Sequence, residues 1–227
     1  MTDEFSHPAS YKSMNTPTTR KDTPMGTPST YLTSETQAER ERLASLFGDL
    51  TPEQWDMPSL CDGWRVREVV AHVTMPFRTK PIGVMAGVVR AGFSFNRYAD
   101  RDARSAAEAM SEAELVDLLR RNIDHPWRPP GGGQAGALSH DVIHGLDVTE
   151  PLGLPSAPAE RLALVLASTS HRQMKYFGVD LDGRKLTATD TDVSVGEGPT
   201  VVTMTAKEIL LVVTGRRPLN EVRGASR

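Results

Sequence analysis

The segment LSHDVIHGLDV, residues 138–148, places His140 and His144 four positions apart and Asp147 three positions further on. On a helix this spacing puts both imidazoles on one face, with Cβ atoms about 5–6 Å apart, so they can converge on one metal ion. Leu138, Val142, Ile143 and Leu146 share the other side of the wheel. The polar face must meet either bulk water or a polar cleft, and the segment alone leaves both open. A zinc ion in an enzyme takes three side chains at about 2.0–2.2 Å and keeps a position for water or substrate. The best third ligand is His72 in VREVVAHV, at the edge of a valine stripe. Glu68 lies one turn earlier on the same flank and suits either a ligand or an acceptor that holds an imidazole; Asp147 suits the second task for His144. Asp141 follows His140, so the HExxH arrangement of metalloproteases is excluded. His7, His125 and His171 fall in a polar tail, a proline-flanked loop and a later helix, and are set aside.

Helices must position these residues, and the apolar spacing predicts them. SETQAERERLASLFGDL starts at a Ser34–Gln37 capping box and repeats Leu43, Leu46, Phe47 and Leu50. After a proline-containing turn, RVREVVAHVTM carries Val66, Val69, Val70 and Val73 at helical spacing. PIGVMAGVVRAGFSF has Pro81 for its first turn, and SEAELVDLLRRNI opens with Ser111 and Glu114 as a capping box. HPWRPPGGGQAG predicts a loop before the His140 helix; no strand precedes its glycines, which argues against a dinucleotide fingerprint. Up to residue 150 the pattern is a helical bundle without strand candidates. Beyond TEPLGLPSAP, one helix is expected over AERLALVLASTSHRQMKYFG. Short strands are expected at RKLTATD and TVVTMT, and a last helix at AKEILLVVTG. The expected parts are a disordered tail at 1–33, where Ser, Thr and Pro fill 16 of 33 positions, a bundle at 34–150 and a small α+β portion at 151–227.

A formal charge of −3, with both signs mixed along the chain, argues against a nucleic-acid partner. No apolar run reaches the roughly 20 residues that cross a bilayer, and no secretory signal pattern opens the chain. The single cysteine, Cys61, has no internal disulfide partner, which fits a reducing cytoplasm; with no basic neighbour in sequence, it is expected to be a buried structural thiol.

Three stretches in order then carry a resemblance. LTPEQWDMPSLCDGWRVREVVAHV has a Trp–Pro–Ser turn, Cys–x–Gly–Trp and a helix ending in Ala–His. HDVIHGLDVTEPLGLP supplies the second histidine segment, and LTATDTDVSVGEGPTV with AKEILLVVTGRRPL the C-terminal portion. Over about residues 34–219 the chain resembles the mycothiol-dependent maleylpyruvate isomerase family of the DinB-like (YfiT-like) metal-binding superfamily. The resemblance implies a mainly α fold: a DinB-like four-helix bundle with a small C-terminal α+β portion. It also implies one divalent ion, usually zinc, on positions that fall at His72, His140 and His144. The isomerase type has glutamate at the position of His140; histidine there resembles the three-histidine site of DinB-like relatives and raises the site's charge by one unit. Arg216 or Arg217 of TGRRPL falls where the isomerase type has a functionally important arginine, and Arg216 is taken as the candidate. The implied activity uses mycothiol as a thiol cosubstrate on a small electrophile, as a cis–trans isomerase or a thiol S-transferase. The alternative is a non-catalytic metal-binding stress or regulatory protein.

Overall fold

In the computed structural model, which describes residues 28–221, the chain is mainly helical with a three-stranded sheet near its end. The first helix, α1 (Pro28–Gly48), begins ahead of the expected Ser34 cap. Ser34 lies inside it and donates its hydroxyl to the Tyr31 carbonyl (2.8 Å). Leu32 packs on the C-terminal core and Arg161 pairs with Glu35, so tertiary contacts extend the helix past the local signal. Residues 28–33 therefore belong to α1, not to a tail; residues 1–27 of the expected tail lie outside the described residues.

The turn after α1 holds a one-turn helix, α2 (Pro52–Trp55), closed by a Thr51–Gln54 capping box. Next come α3 (Val66–Val73), α4 (Met75–Arg78) and α5 (Pro81–Arg90). The last of these starts at Pro81 as expected but stops before Phe95, because Gly92 and Phe93 take left-handed φ values of 65° and 60°. A helix that the apolar pattern did not announce follows, α6 (Phe95–Ala109). Its buried face consists of Ala99, Ala103, Ala106 and Ala107, and its helical period shows in the charged residues on the opposite face more than in large apolar ones. The Ser111–Glu114 box then caps α7 (Glu112–Arg120), and α8 (Gly133–Thr149) carries both site histidines. α1 packs on α7 and α8, while α3 packs on α6, α7 and α8. Leu43, Phe47, Trp55, Val66, Val69, Val70, Leu115, Leu119 and Val148 form the bundle core.

Beyond α8 the single long helix expected is two, α9 (Ala159–Ala167) and α10 (His171–Tyr176). Ser170 starts α10 with its own capping box to Gln173, and a new N-cap breaks the run. Strands β1 (Arg184–Ala188), β2 (Ser194–Val195) and β3 (Thr200–Met204) lie in the order β2-β1-β3. β1 pairs antiparallel with β2 and parallel with β3, in a register that sets Leu186 against both Val195 and Val202. The chain returns from β2 past the start of β1 at Gly198, where a Cβ would overlap the Gly183 carbonyl oxygen. Helix α11 (Ala206–Val213), capped by Thr205 and Glu208, closes the fold. The core here joins Leu162, Val165, Leu166, Leu186, Val202, Ile209 and Leu210 to Leu138, Val142 and Leu146 of α8. Among the described residues, no helix is long and apolar enough to cross a membrane.

Candidate metal centre

With its leucine face buried in the C-terminal core, α8 turns His140 and His144 toward α3, whose His72 is 6% exposed. The three rings meet: centroids are 5.3 Å apart for His72–His140, 4.8 Å for His72–His144 and 4.9 Å for His140–His144. One ring nitrogen from each lies within 4.8 Å of the other two. The polar face of α8 therefore looks into a cleft between helices. Trp64 stands 5.2 Å from His72, and its indole donates to Asp100 of α6 (2.7 Å). Trp127 stands 5.0 Å from His140.

Carboxylates fix two of the rings. His144 Nδ1 bonds Asp147 Oδ2 (2.9 Å), and His140 Nδ1 bonds Asp141 Oδ1 (2.8 Å). An ionised carboxylate only accepts, so each Nδ1 is the protonated nitrogen and each Nε2 keeps its lone pair. His140 Nε2 and His72 Nδ1 are buried without a hydrogen-bond partner. Buried polar atoms rarely go unpaired. Three imidazoles with free nitrogens at this spacing fit the donor set of a divalent transition ion. Burial, then the neighbouring His144 and His140, pushes His72 well below its ordinary pKa. Burial is also the largest influence on His144 and lowers it, despite the opposing Asp147 hydrogen bond. Both rings are thus held neutral, the form that binds metal.

Asp147, fully buried, also binds Arg216, which donates Nε to Oδ1 (2.9 Å) and Nη2 to Oδ2 (3.0 Å). Burial opposes the charge on Asp147, but the His144 and Arg216 hydrogen bonds outweigh it and hold the carboxyl far below the usual range. Arg216 Nη1 donates to the Thr214 carbonyl (2.9 Å), and its guanidinium also lies against the Cys61 sulfur. The neighbouring Arg217 pairs with Glu150 instead.

Cys61 is a site neighbour that its sequence surroundings did not reveal. Its thiol donates to Asp147 Oδ2 (3.0 Å) and lies 4.0 Å from His144 Nδ1. The turn reaches α8 because the Leu60 amide donates to the Asp147 carbonyl (3.0 Å) and Gly63 takes a φ of 73°. Burial, then the charge of Asp147, pushes the thiol up, so Cys61 stays protonated. Glu68 is placed differently from its expected role as a ligand or an imidazole's acceptor. Its Oε2 accepts from the Arg65 amide (2.8 Å) and Nε, and its Oε1 from Arg65 Nη2 (2.6 Å), so it caps the start of α3. His171 is exposed, His125 bonds the Trp127 amide, and His7 lies outside the described residues. A groove of about 730 Å³ between α1 and residues 154–156 contains none of these side chains.

Residues 36–126 match the family model described as the mycothiol maleylpyruvate isomerase N-terminal domain. The resemblance read from the sequence is borne out. The match includes His72 and Cys61 but ends before His140, His144 and Arg216. For those, the comparison is one of fold. A crystal structure of the mycothiol-dependent maleylpyruvate isomerase superposes with a TM-score of 0.58 at 14% identity, covering 88% of this chain and 97% of the isomerase. A mutant of a mycothiol-dependent maleylpyruvate isomerase gives a TM-score of 0.50 at 15% identity, with the same coverage. The isomerase fold thus extends over both the bundle and the C-terminal portion. None of the curated proteins compared with the chain matches it.

Proposed function

We propose that this chain is a metal-dependent enzyme that uses a small thiol, mycothiol, on a conjugated electrophile, as a cis–trans isomerase or a thiol S-transferase. The observation that carries the proposal is the convergence of His72, His140 and His144, with buried nitrogens left unpaired, in a chain of isomerase-like fold. These three residues would hold one divalent ion, for which zinc is the natural candidate. Such an ion, when bound, supplies positive charge that favours the thiolate form of an incoming thiol.

The protein's own residues do the rest. Asp147 and Asp141 keep the Nε2 lone pairs of His144 and His140 available. Asp147 also orients Arg216, whose guanidinium suits a substrate carboxylate or a developing enolate. Trp64 and Trp127 flank the imidazoles with flat apolar surface that limits water and suits a planar conjugated acid. Thiolate addition to the double bond moves the electron pair onto the conjugated carbonyl and leaves a carbon–carbon single bond that rotates. Return of the electron pair expels the thiolate and gives the trans isomer. Protonation of the adduct instead leaves a thioether, the S-transferase outcome. Both structural relatives are described as isomerases, so the non-catalytic alternative is not favoured.

The test is the metal content of native protein, followed by consumption of cis unsaturated acids with and without mycothiol. Thiol-dependent turnover that His144→Ala abolishes along with the metal is the expected result. Metal-loaded protein that consumes no electrophile with mycothiol overturns the proposal.

A further inference from the structure

We infer that Arg40 is a positioning residue for His140, acting through Asp141 and through the segment that lays Trp127 against the ring. Arg40 and Asp141 are each 1% exposed, on α1 and α8, and Arg40 Nε donates to Asp141 Oδ2 (2.8 Å). The other Asp141 oxygen accepts from His140 Nδ1 (2.8 Å). Consecutive positions on a helix do not face each other. A bond between the side chains of His140 and Asp141 therefore needs something outside the helix to draw the carboxylate into place, and Arg40 is that anchor. Its Nη1 donates to the carbonyls of His125 (2.7 Å) and Ile123 (3.3 Å), and its guanidinium lies 5.3 Å from the centroid of the Phe77 ring. The segment so clamped holds Trp127, whose amide donates to His125 Nδ1 (3.2 Å) and whose ring packs on His140.

A buried ion pair is weak evidence for stability, since well-packed apolar residues of similar volume often serve as well. The role of this one is orientation. It sets the His140 tautomer as Nδ1–H and fixes the ring plane between Trp127 and the other two imidazoles. The consequence for metal affinity rests on the donor role proposed for His140; the tautomer does not.

The experiment uses metal-free full-length protein, ¹⁵N-labelled at histidine, with the tautomer read from imidazole nitrogen shifts, and then Co²⁺ titration followed by absorbance. Wild type is expected to show His140 as a single Nδ1–H tautomer. The double variant Arg40→Met/Asp141→Leu replaces the pair with apolar groups of similar size and is expected to fold. It should show a mixed His140 tautomer, a shifted Trp127 indole resonance and Co²⁺ affinity lower by about 10–100-fold. Arg40→Gln alone, which keeps Asp141 beside His140 without its anchor, isolates Arg40 and is expected to show the mixed tautomer, whereas Arg40→Lys keeps most of the bias; a pure Nδ1–H tautomer in Arg40→Gln also overturns the inference. A double variant that retains the pure Nδ1–H tautomer and wild-type Co²⁺ affinity overturns the inference, as does a wild type with the Nε2–H form. If wild type binds no Co²⁺, the metal reading fails, and the tautomer comparison still decides the role of Arg40.

Discussion

Asp147 is the residue on which the site turns, since one buried carboxylate receives His144, Arg216 and Cys61. Replacing it with alanine strands the Arg216 charge, 13% exposed at the side chain, and should cost about 3–5 kcal/mol. Urea unfolding of Asp147→Ala and Asp147→Asn checks this, with the asparagine variant showing part of the loss; affinity for the proposed metal should fall by about 10–100-fold in the alanine variant. Glu68 sets the contrast. As a cap on α3, its alanine variant should lose about 1 kcal/mol of stability and leave affinity for the proposed metal unchanged. Cys61, held as a thiol, should react with iodoacetamide far more slowly in the folded protein than in urea. The sequence made the His144–Asp147 pair readable because helical spacing alone brings i and i+3 together. Cys61 and Arg216 reach the same carboxylate from 86 and 69 residues away, and no local pattern encodes such meetings. Glu68 was misplaced because its position three residues into α3 is also where a capping carboxylate sits, and the nearer claim won.

At the scale of elements, legibility followed side-chain size. The valine stripe of α3 and the capping box of α7 announce their helices, whereas the period of α6 is carried by charged residues opposite small alanines and not by a stripe of large apolar ones. That choice has a physical role, because small side chains let α6 lie close against α3, which carries His72, while Asp100 of α6 holds Trp64 beside that ring. Ala103→Leu, at a position with no exposure, should overpack this contact and cost about 1–3 kcal/mol. The same variant should weaken binding of the proposed metal though it touches none of the three imidazoles; chemical denaturation with parallel metal titration reads both. The parallel pairing of β1 and β3 was likewise unreadable, since the strands were visible but their partners were not. It depends on the close passage at Gly198, where φ is 150°.

The whole molecule is organised around α8. Its leucine face completes the C-terminal core, Val148 enters the bundle core, and its polar face carries two of the three imidazoles. The division at residue 150 is therefore proposed as a boundary of composition and not of folding: residues 34–150 alone would expose Leu138, Val142 and Leu146 and lose Arg216. All three tryptophans precede α8, so their fluorescence reports the bundle while circular dichroism reports the entire chain. Coincident urea transitions by the two probes are expected, and separate ones would show that the parts unfold independently. Acid should loosen this shared helix in a defined direction. Burial lowers His72 and His144 below their ordinary value of 6.5, so below that pH the unfolded chain binds more protons than the folded one. For metal-free protein, the contribution of these two rings is fully present above pH 6.5 and is lost as pH falls toward their folded values. Urea midpoints should therefore drop between about pH 6.5 and 5, and His72→Phe should flatten the slope. The same lowering keeps the rings neutral further into acid than free imidazole, so uptake of the proposed metal should persist below pH 6.5 before it fails. Uptake that tracks an unperturbed histidine would mean the rings are open to water, contrary to the burial that holds them.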